Sequence, residues 1–162
     1  MTNNDVLRRL RYVFDFDDSK MMSIFEAAEY TVTREQMCNW LKKDDDAAFQ
    51  ECTDEELATF LNGLINDMRG KKEGEQPIPE KHLTNNMIFK KLKIALNLKN
   101  DDVLEIMDFA DFELSQHELS AFFRKKGHKN YRICKDQILR NFLQGMQFKY
   151  RDNAYSKANE NG

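Results

Sequence analysis

Thr2-Asn3-Asn4-Asp5-Val6-Leu7-Arg8-Arg9-Leu10 and, 82 positions further on, Thr84-Asn85-Asn86-Met87-Ile88-Phe89-Lys90-Lys91-Leu92 are two versions of one segment. The register then holds without a gap. Ile24 meets Ile106, Ala28 meets Ala110, Cys52 meets Cys134, Asp54 meets Asp136, and Leu57, Phe60, Leu61 and Gly63 meet Leu139, Phe142, Leu143 and Gly145. Where identity fails, chemistry persists: Arg8, Arg9 and Arg11 face Lys90, Lys91 and Lys93, and Trp40 faces Phe122. Self-similarity at a fixed offset marks two copies of one structural unit.

The spacing within each copy is helical. At 100° per residue Val6, Leu7, Leu10, Val13 and Phe14 fall on one arc, with Arg8, Arg9, Arg11 and Tyr12 on the other. Ile88, Phe89, Leu92, Ala95 and Leu96 repeat that division against Lys90, Lys91 and Lys93. Asn3 or Asn4 suits the N-cap of this first helix, and Asp5 favours its first turn. A second helix, from about Ser19 to Glu29, is buried through Met21, Ile24, Phe25 and Ala28, with Val103, Ile106, Met107 and Ala110 as its echo. The third opens on capping boxes, Thr33-x-x-Gln36 and Ser115-x-x-Glu118. Asp44-Asp45-Asp46 breaks the first copy where Lys126-Gly127-His128 breaks the second. The fourth opens on the box Thr53-x-x-Glu56, with Cys52 and Leu57 at the N′-to-N4 spacing of a hydrophobic staple, repeated by Cys134 and Leu139. Both cysteines therefore read as packing residues.

These spans predict an all-α chain of two homologous four-helix repeats, residues 2–65 and 84–147. Residues 66–83, which hold both prolines, read as a linker, and 148–162 as a flexible tail. Each copy alone is about the size of the smallest independent domains, so the two are expected to share a core about a pseudo-twofold axis, like a fused homodimer.

Composition narrows the function classes. Charged residues make up 33% of the chain and hydrophobic ones 41%, and no uninterrupted apolar run approaches the ~20 residues of a membrane span. Met-Thr-Asn-Asn-Asp lacks the basic and apolar regions of a signal peptide. Three cysteines without metal-type spacing point to reduced thiols and the cytoplasm. The net charge of −3 hides a split: Arg124 to Gly162 carries ten cations against three anions, +7, so the remainder carries −10. Such a division suggests self-complementary packing or a basic face for a polyanion.

Two stretches could carry recognition. Ala27, Val32, Met37 and Trp40 have the apolar spacing of a helix-turn-helix, which would display Arg34, Glu35, Asn39, Lys42 and Lys43. Thr31 stands at the customary turn glycine, and Phe109 replaces Ala27 in the second copy; helix pairs of this kind are common in all-α folds. The other is Phe123-Arg124-Lys125-Lys126-Gly127-His128-Lys129-Asn130-Tyr131-Arg132. Its clustered cations suit phosphates, and Tyr131 or His128 suits stacking on an unpaired base. Arg124, Lys125, Lys126, Lys129, Tyr131 and Arg132, joined by Arg8, Arg9, Lys90 and Lys91, are the candidate nucleic-acid contacts. The plainer explanation is a solvated loop and solvated helix faces.

Catalytic signals are poor. His82, His117 and His128 never fall at metal-site spacing, and no Gly-x-Ser-x-Gly elbow, Walker loop or dinucleotide fingerprint is present. Gly63 and Gly145 sit late in the fourth helices, where close packing or a helix stop explains them better than phosphate cradling. The expectation is a cofactor-free, non-enzymatic binding protein. Its partner would be nucleic acid or, alternatively, another protein docked on an apolar groove between the repeats or through self-association.

Thr2 to Tyr12 (TNNDVLRRLRY), Phe60 to Asp67 (FLNGLIND) and Lys135 to Gly145 (KDQILRNFLQG) resemble the YehS-like bacterial proteins, a tandem-repeat family of unknown function. The resemblance spans about residues 1–147. It implies a bacterial cytoplasmic protein with a duplicated domain, and it brings no activity or site residue with it.

Overall fold

The computed structural model describes residues 1–153 and is helical throughout, with no strand among the described residues. The first repeat consists of α1 (Asn3–Phe14), α2 (Asp18–Ala27), α3 (Arg34–Leu41) and α4 (Asp54–Arg69). The second consists of α5 (Asn85–Ala95), α6 (Asn100–Phe109), α7 (Gln116–Phe122) and α8 (Asp136–Met146), which runs on into a π-helical turn, Gln147–Asp152. Two homologous four-helix repeats are thus packed as one pseudo-twofold helical domain.

Caps set most of the helix starts. The boxes at Thr53/Glu56 and Ser115/Glu118 close in both directions. At Thr33 only half of the expected box forms among the described residues: Thr33 accepts from the Gln36 amide, without a return bond from the Gln36 side chain. The first helix departs from expectation: its N-cap is Thr2, boxed with Asp5, and in the second repeat Thr84 accepts from the Met87 amide. Asn3 and Asn4 lie just inside the helix and reach across the fold. Asn3 donates to the Cys52 carbonyl (3.1 Å) and to Asp54 Oδ1 (2.7 Å), and Asn85 does the same to Cys134 (3.1 Å) and Asp136 (2.7 Å). Asn4 is buried; it donates to the Trp40 and Gln50 carbonyls, both at 2.9 Å, and accepts from the Cys52 amide at 3.0 Å. Asn86 repeats this set with Phe122 (3.0 Å), Arg132 (2.8 Å) and Cys134 (2.9 Å). The repeated asparagines therefore tie the start of each repeat to the loop before its fourth helix. Buried backbone groups there would otherwise lack partners.

Helices α2 and α4 cross at Gly63, and α6 and α8 cross at Gly145. A Cβ on Gly63 would stand 1.9 Å from the Ile24 carbonyl oxygen, and one on Gly145 would stand 2.0 Å from that of Ile106. Around these crossings the core is aromatic: Phe25 lies 5.2 Å from Phe60 and 5.6 Å from Trp40, and Phe89 lies 4.6 Å from Phe142, centroid to centroid. Burying each such side chain stabilises the fold by roughly 1.5–3 kcal/mol. One continuous hydrophobic cluster spans both repeats.

Between the repeats, α4 packs on α5, while α1 packs on α8 and the π-helical turn. Arg9 donates to Gln144 Oε1 at 3.0 Å, and its counterpart Lys91 donates to Asn62 Oδ1 at 2.5 Å. Asn62 and Gln144 are themselves counterparts under the offset. One contact made twice in this way is what a twofold axis produces.

Two boundaries differ from the sequence reading. Helix α4 continues four residues past Ile65, to Arg69, so the irregular connector begins at Gly70. The segment after Gln147, read as flexible, is helical through Asp152 in the described residues and packs on α1. Tyr150 lies 5.5 Å from the Phe14 ring, and Arg151 donates to the Tyr12 carbonyl at 2.6 Å. The rest of the expected tail, residues 154–162, lies outside the described residues. No helix among the described residues is long and apolar enough to cross a membrane.

Candidate functional site

The α7–α8 loop turns back at Gly127, whose φ of +96° lies in the left-handed region that glycine favours. The His128 amide donates to the Lys125 carbonyl at 3.0 Å, and the Tyr131 amide donates to the His128 carbonyl at 2.9 Å. This fold-back brings Arg124, Lys125, Lys126 and Tyr131 to a pocket of about 270 Å³ that is also lined by Met87 and Lys90 of α5, by Phe122 and Phe123, and by His82, among others. The Arg124 Nε is buried and has no hydrogen-bond partner among the described residues.

A second pocket, also about 270 Å³, adjoins this one and shares Lys90 and Phe123 with it. Its other walls are Arg69 from the end of α4, Lys93 and Ile94 from α5, and Asn97 and Leu98 from the α5–α6 turn. The Lys93 ammonium stands 4.6 Å from the Phe123 ring centroid. Burial, and then the nearby Lys90 charge, hold its pKa below the usual lysine value. Through these shared residues the two pockets join in a trough lined by six cations, Arg69, Lys90, Lys93, Arg124, Lys125 and Lys126, and by apolar and aromatic side chains. Such a trough attracts anions.

Not every cation singled out from the sequence lies here. Arg124, Lys125, Lys126, Tyr131 and Lys90 are brought together. Lys129 is exposed on the same loop but lines neither pocket. Arg132 points outward, 3.5 Å from Glu118, with its guanidinium 5.9 Å from the Phe122 centroid. Arg8 belongs to the first repeat, where it holds Asp5 at 2.6 Å and the Lys42 carbonyl at 2.6 Å. Arg9 and Lys91 are committed to the repeat interface, and Lys91 also pairs with Glu80 at 3.1 Å. The face they occupy is covered by the other repeat, so they depart from the grouping expected of them. The exposed His128 ring accepts from the Asn130 amide through its Nδ1 and so braces the turn.

The sequence reading took Phe123 only as the start of the loop stretch, and did not name Arg69, Lys93 or His82 as site residues. Lys93 stood in plain view in the alignment of the copies, and Arg69 was hidden by ending the first repeat at Ile65. In the helix pair α2–α3, the exposed Arg34 is bridged to Asp18 at 3.2 Å, and its neighbour Glu35 is acidic. Lys42 and Lys43 lie past the end of α3 at Leu41. Among the described residues, His, Cys, Asp and Glu side chains form no group of three or more suited to a metal ion.

Fold and site together define a class: a duplicated all-helical chain carrying a basic trough lined in part by aromatic side chains, mostly from its second repeat. The chain belongs to the family described as "Protein of unknown function (DUF1456)", which matches it twice, over residues 3–70 and 85–152. It is 42% identical over 147 residues to "Uncharacterized protein YehS" of Escherichia coli (strain K12), an alignment covering 90% of this chain and 94% of that one. The resemblance carried by the segments at Thr2, Phe60 and Lys135 is borne out. No solved structure matches the chain.

Proposed function

We propose that this is a non-catalytic nucleic-acid-binding protein of the bacterial cytoplasm, which holds the polyanion in the trough of its second repeat. What supports this reading is convergence. Arg69 comes from the first repeat, Lys90 and Lys93 from α5, and Arg124, Lys125 and Lys126 from the α7–α8 loop, and all border one trough. Phosphates bound there would release counterions, while Tyr131 offers an aromatic ring to bases, a combination suited to an unpaired strand.

The test is a fluorescence-anisotropy titration of a labelled single-stranded oligonucleotide at several salt concentrations. Affinity should fall steeply with salt, by a slope of about −0.7 per phosphate contacted on log axes. The double variant Lys125→Glu/Lys126→Glu should abolish binding without lowering the melting temperature. Salt-independent binding, or full binding by that variant, sinks the reading.

A further inference from the structure

The offset that relates the repeats also relates two clefts, and their lining residues correspond position by position except at Asp17, whose counterpart Lys99 does not line the second. The cleft of the first repeat, about 700 Å³, is lined by Arg8, Arg11, Tyr12, Asp15, Leu41 and Arg151, among others. Their counterparts, Lys90, Lys93, Ile94, Asn97, Phe123 and Arg69, line the smaller pocket of the trough. Backbone geometry is duplicated too: Asp15 and Asn97 both adopt the left-handed conformation, at φ 53° and 54°.

The charge balance is not duplicated. In the first cleft every cation faces a carboxylate. Arg8 lies 2.6 Å from Asp5 and 3.5 Å from Asp44, Arg11 lies 2.9 Å from Asp18, and Arg151 lies 3.6 Å from Asp15. In the second cleft the positions of Asp5, Asp44, Asp18 and Asp15 are taken by Met87, Lys126, Asn100 and Asn97. Among the described residues, Arg69, Lys90 and Lys93 have no carboxylate partner within 4.0 Å. The buried Asn100 Oδ1, standing where Asp18 grips Arg11, has no hydrogen-bond partner among them either. Three cations drawn together without a counter-charge repel one another, and a bound anion removes that cost.

We propose that the second-repeat cleft is a binding site for one phosphate group, held by Arg69, Lys90 and Lys93 against the Phe123 ring, and that the first-repeat cleft is closed to anions by its own aspartates. This deepens the nucleic-acid reading and rests on it for the source of the phosphate. A backbone phosphate seated here places the neighbouring base along the shared wall of Lys90 and Phe123, toward Tyr131. A free di- or triphosphate offers the same oxygen chemistry, and the test separates the two.

Isothermal titration of the full chain at low salt uses two probes, inorganic pyrophosphate and an oligothymidylate of about 12 nucleotides, a length within the usual footprint of such sites. Wild type should bind one pyrophosphate. Asn97→Asp/Asn100→Asp, which installs the carboxylates of the first repeat, should weaken pyrophosphate at least tenfold. Lys93→Gln should do the same and stands in should the first variant fold poorly. Asp15→Asn/Asp18→Asn, which frees Arg11 and Arg151 but leaves Arg8 held by Asp5 and Asp44, should add a second, weaker pyrophosphate site. Pyrophosphate binding without oligonucleotide binding upholds the cleft and overturns the nucleic-acid reading. Oligonucleotide binding lost in Lys125→Glu/Lys126→Glu but unaltered in Asn97→Asp/Asn100→Asp and in Lys93→Gln overturns the cleft and leaves the nucleic-acid reading standing. No pyrophosphate binding, or binding indifferent to both cleft variants, also overturns it.

Discussion

Gly63 lets α4 lie against the backbone of Ile24, so closely that one added carbon would sit 1.9 Å from the Ile24 carbonyl oxygen. In an open helix, glycine to alanine stabilises by about 0.5–1 kcal/mol. Here the steric term decides the sign, because the obstacle is backbone rather than a movable side chain. Gly63→Ala and Gly145→Ala should each destabilise the fold by about 1–3 kcal/mol, the usual range for overpacking. Urea unfolding checks this, and a gain in stability would show that the helices can part at no cost.

Asn4→Ala removes the partners of two carbonyls and one amide in the buried loop junction. Leaving such groups unsatisfied costs about 1–3 kcal/mol each before any relaxation. The expected loss is about 3 kcal/mol, with Asn86→Ala matching it. Asn4→Asp keeps an acceptor for the Cys52 amide but removes both donors, so thermal melts should place it no better than alanine.

Acid should unfold the protein through the helix starts. The hydrogen bond from Asn3, followed by that from the Leu83 amide, holds the Asp54 pKa below its ordinary 3.8. The N-terminal ammonium, then Asn85, does the same for Asp136. A carboxylate depressed in the folded state contributes stability that is present above its unfolded pKa and lost as pH falls through the folded one. Stability should therefore be level near neutrality and decline below about pH 4. Asp54→Asn should flatten part of that decline in unfolding measured at pH 7 and pH 3.

Thiol reactivity should separate the cysteines. Burial, reinforced by neighbouring carboxylates, pushes the Cys52 and Cys134 thiols up to about 12, whereas Cys38 is half-buried. Ellman's reagent should label at most one thiol in the native protein and all three in denaturant. Rapid native labelling of Cys52 would contradict its packing role.

The duplicated helices were legible because the 82-residue register, the apolar arcs and the Thr53 and Ser115 boxes are all local signals. What escaped was long-range. Asn3 and Asn4 look like caps in isolation, and their partners lie 36 to 51 positions away. Arg9 and Lys91 fall on the polar arc of their helices, but a helical wheel cannot distinguish water from a neighbouring repeat. The π-helical turn at Gln147–Asp152 bonds i to i+5, a spacing that a 100° wheel blurs. Lys93 was visible in the register as the partner of Arg11, but that it and Arg69 lack counter-charges emerges only when the acids missing from the second copy are counted beside the cations both copies keep.

The twofold arrangement has a consequence for how the two halves can change. In a symmetric pair of separate single-repeat chains, any substitution is written into both clefts at once, so losing Asp15 on one side means losing it on the other. Joining the copies through the connector uncouples them. One half can keep its aspartates and serve as inert ballast that shapes the domain, while the other discards them and becomes reactive toward anions. The covalent link does more than hold the halves together: it lets one chain be asymmetric in charge while remaining symmetric in shape.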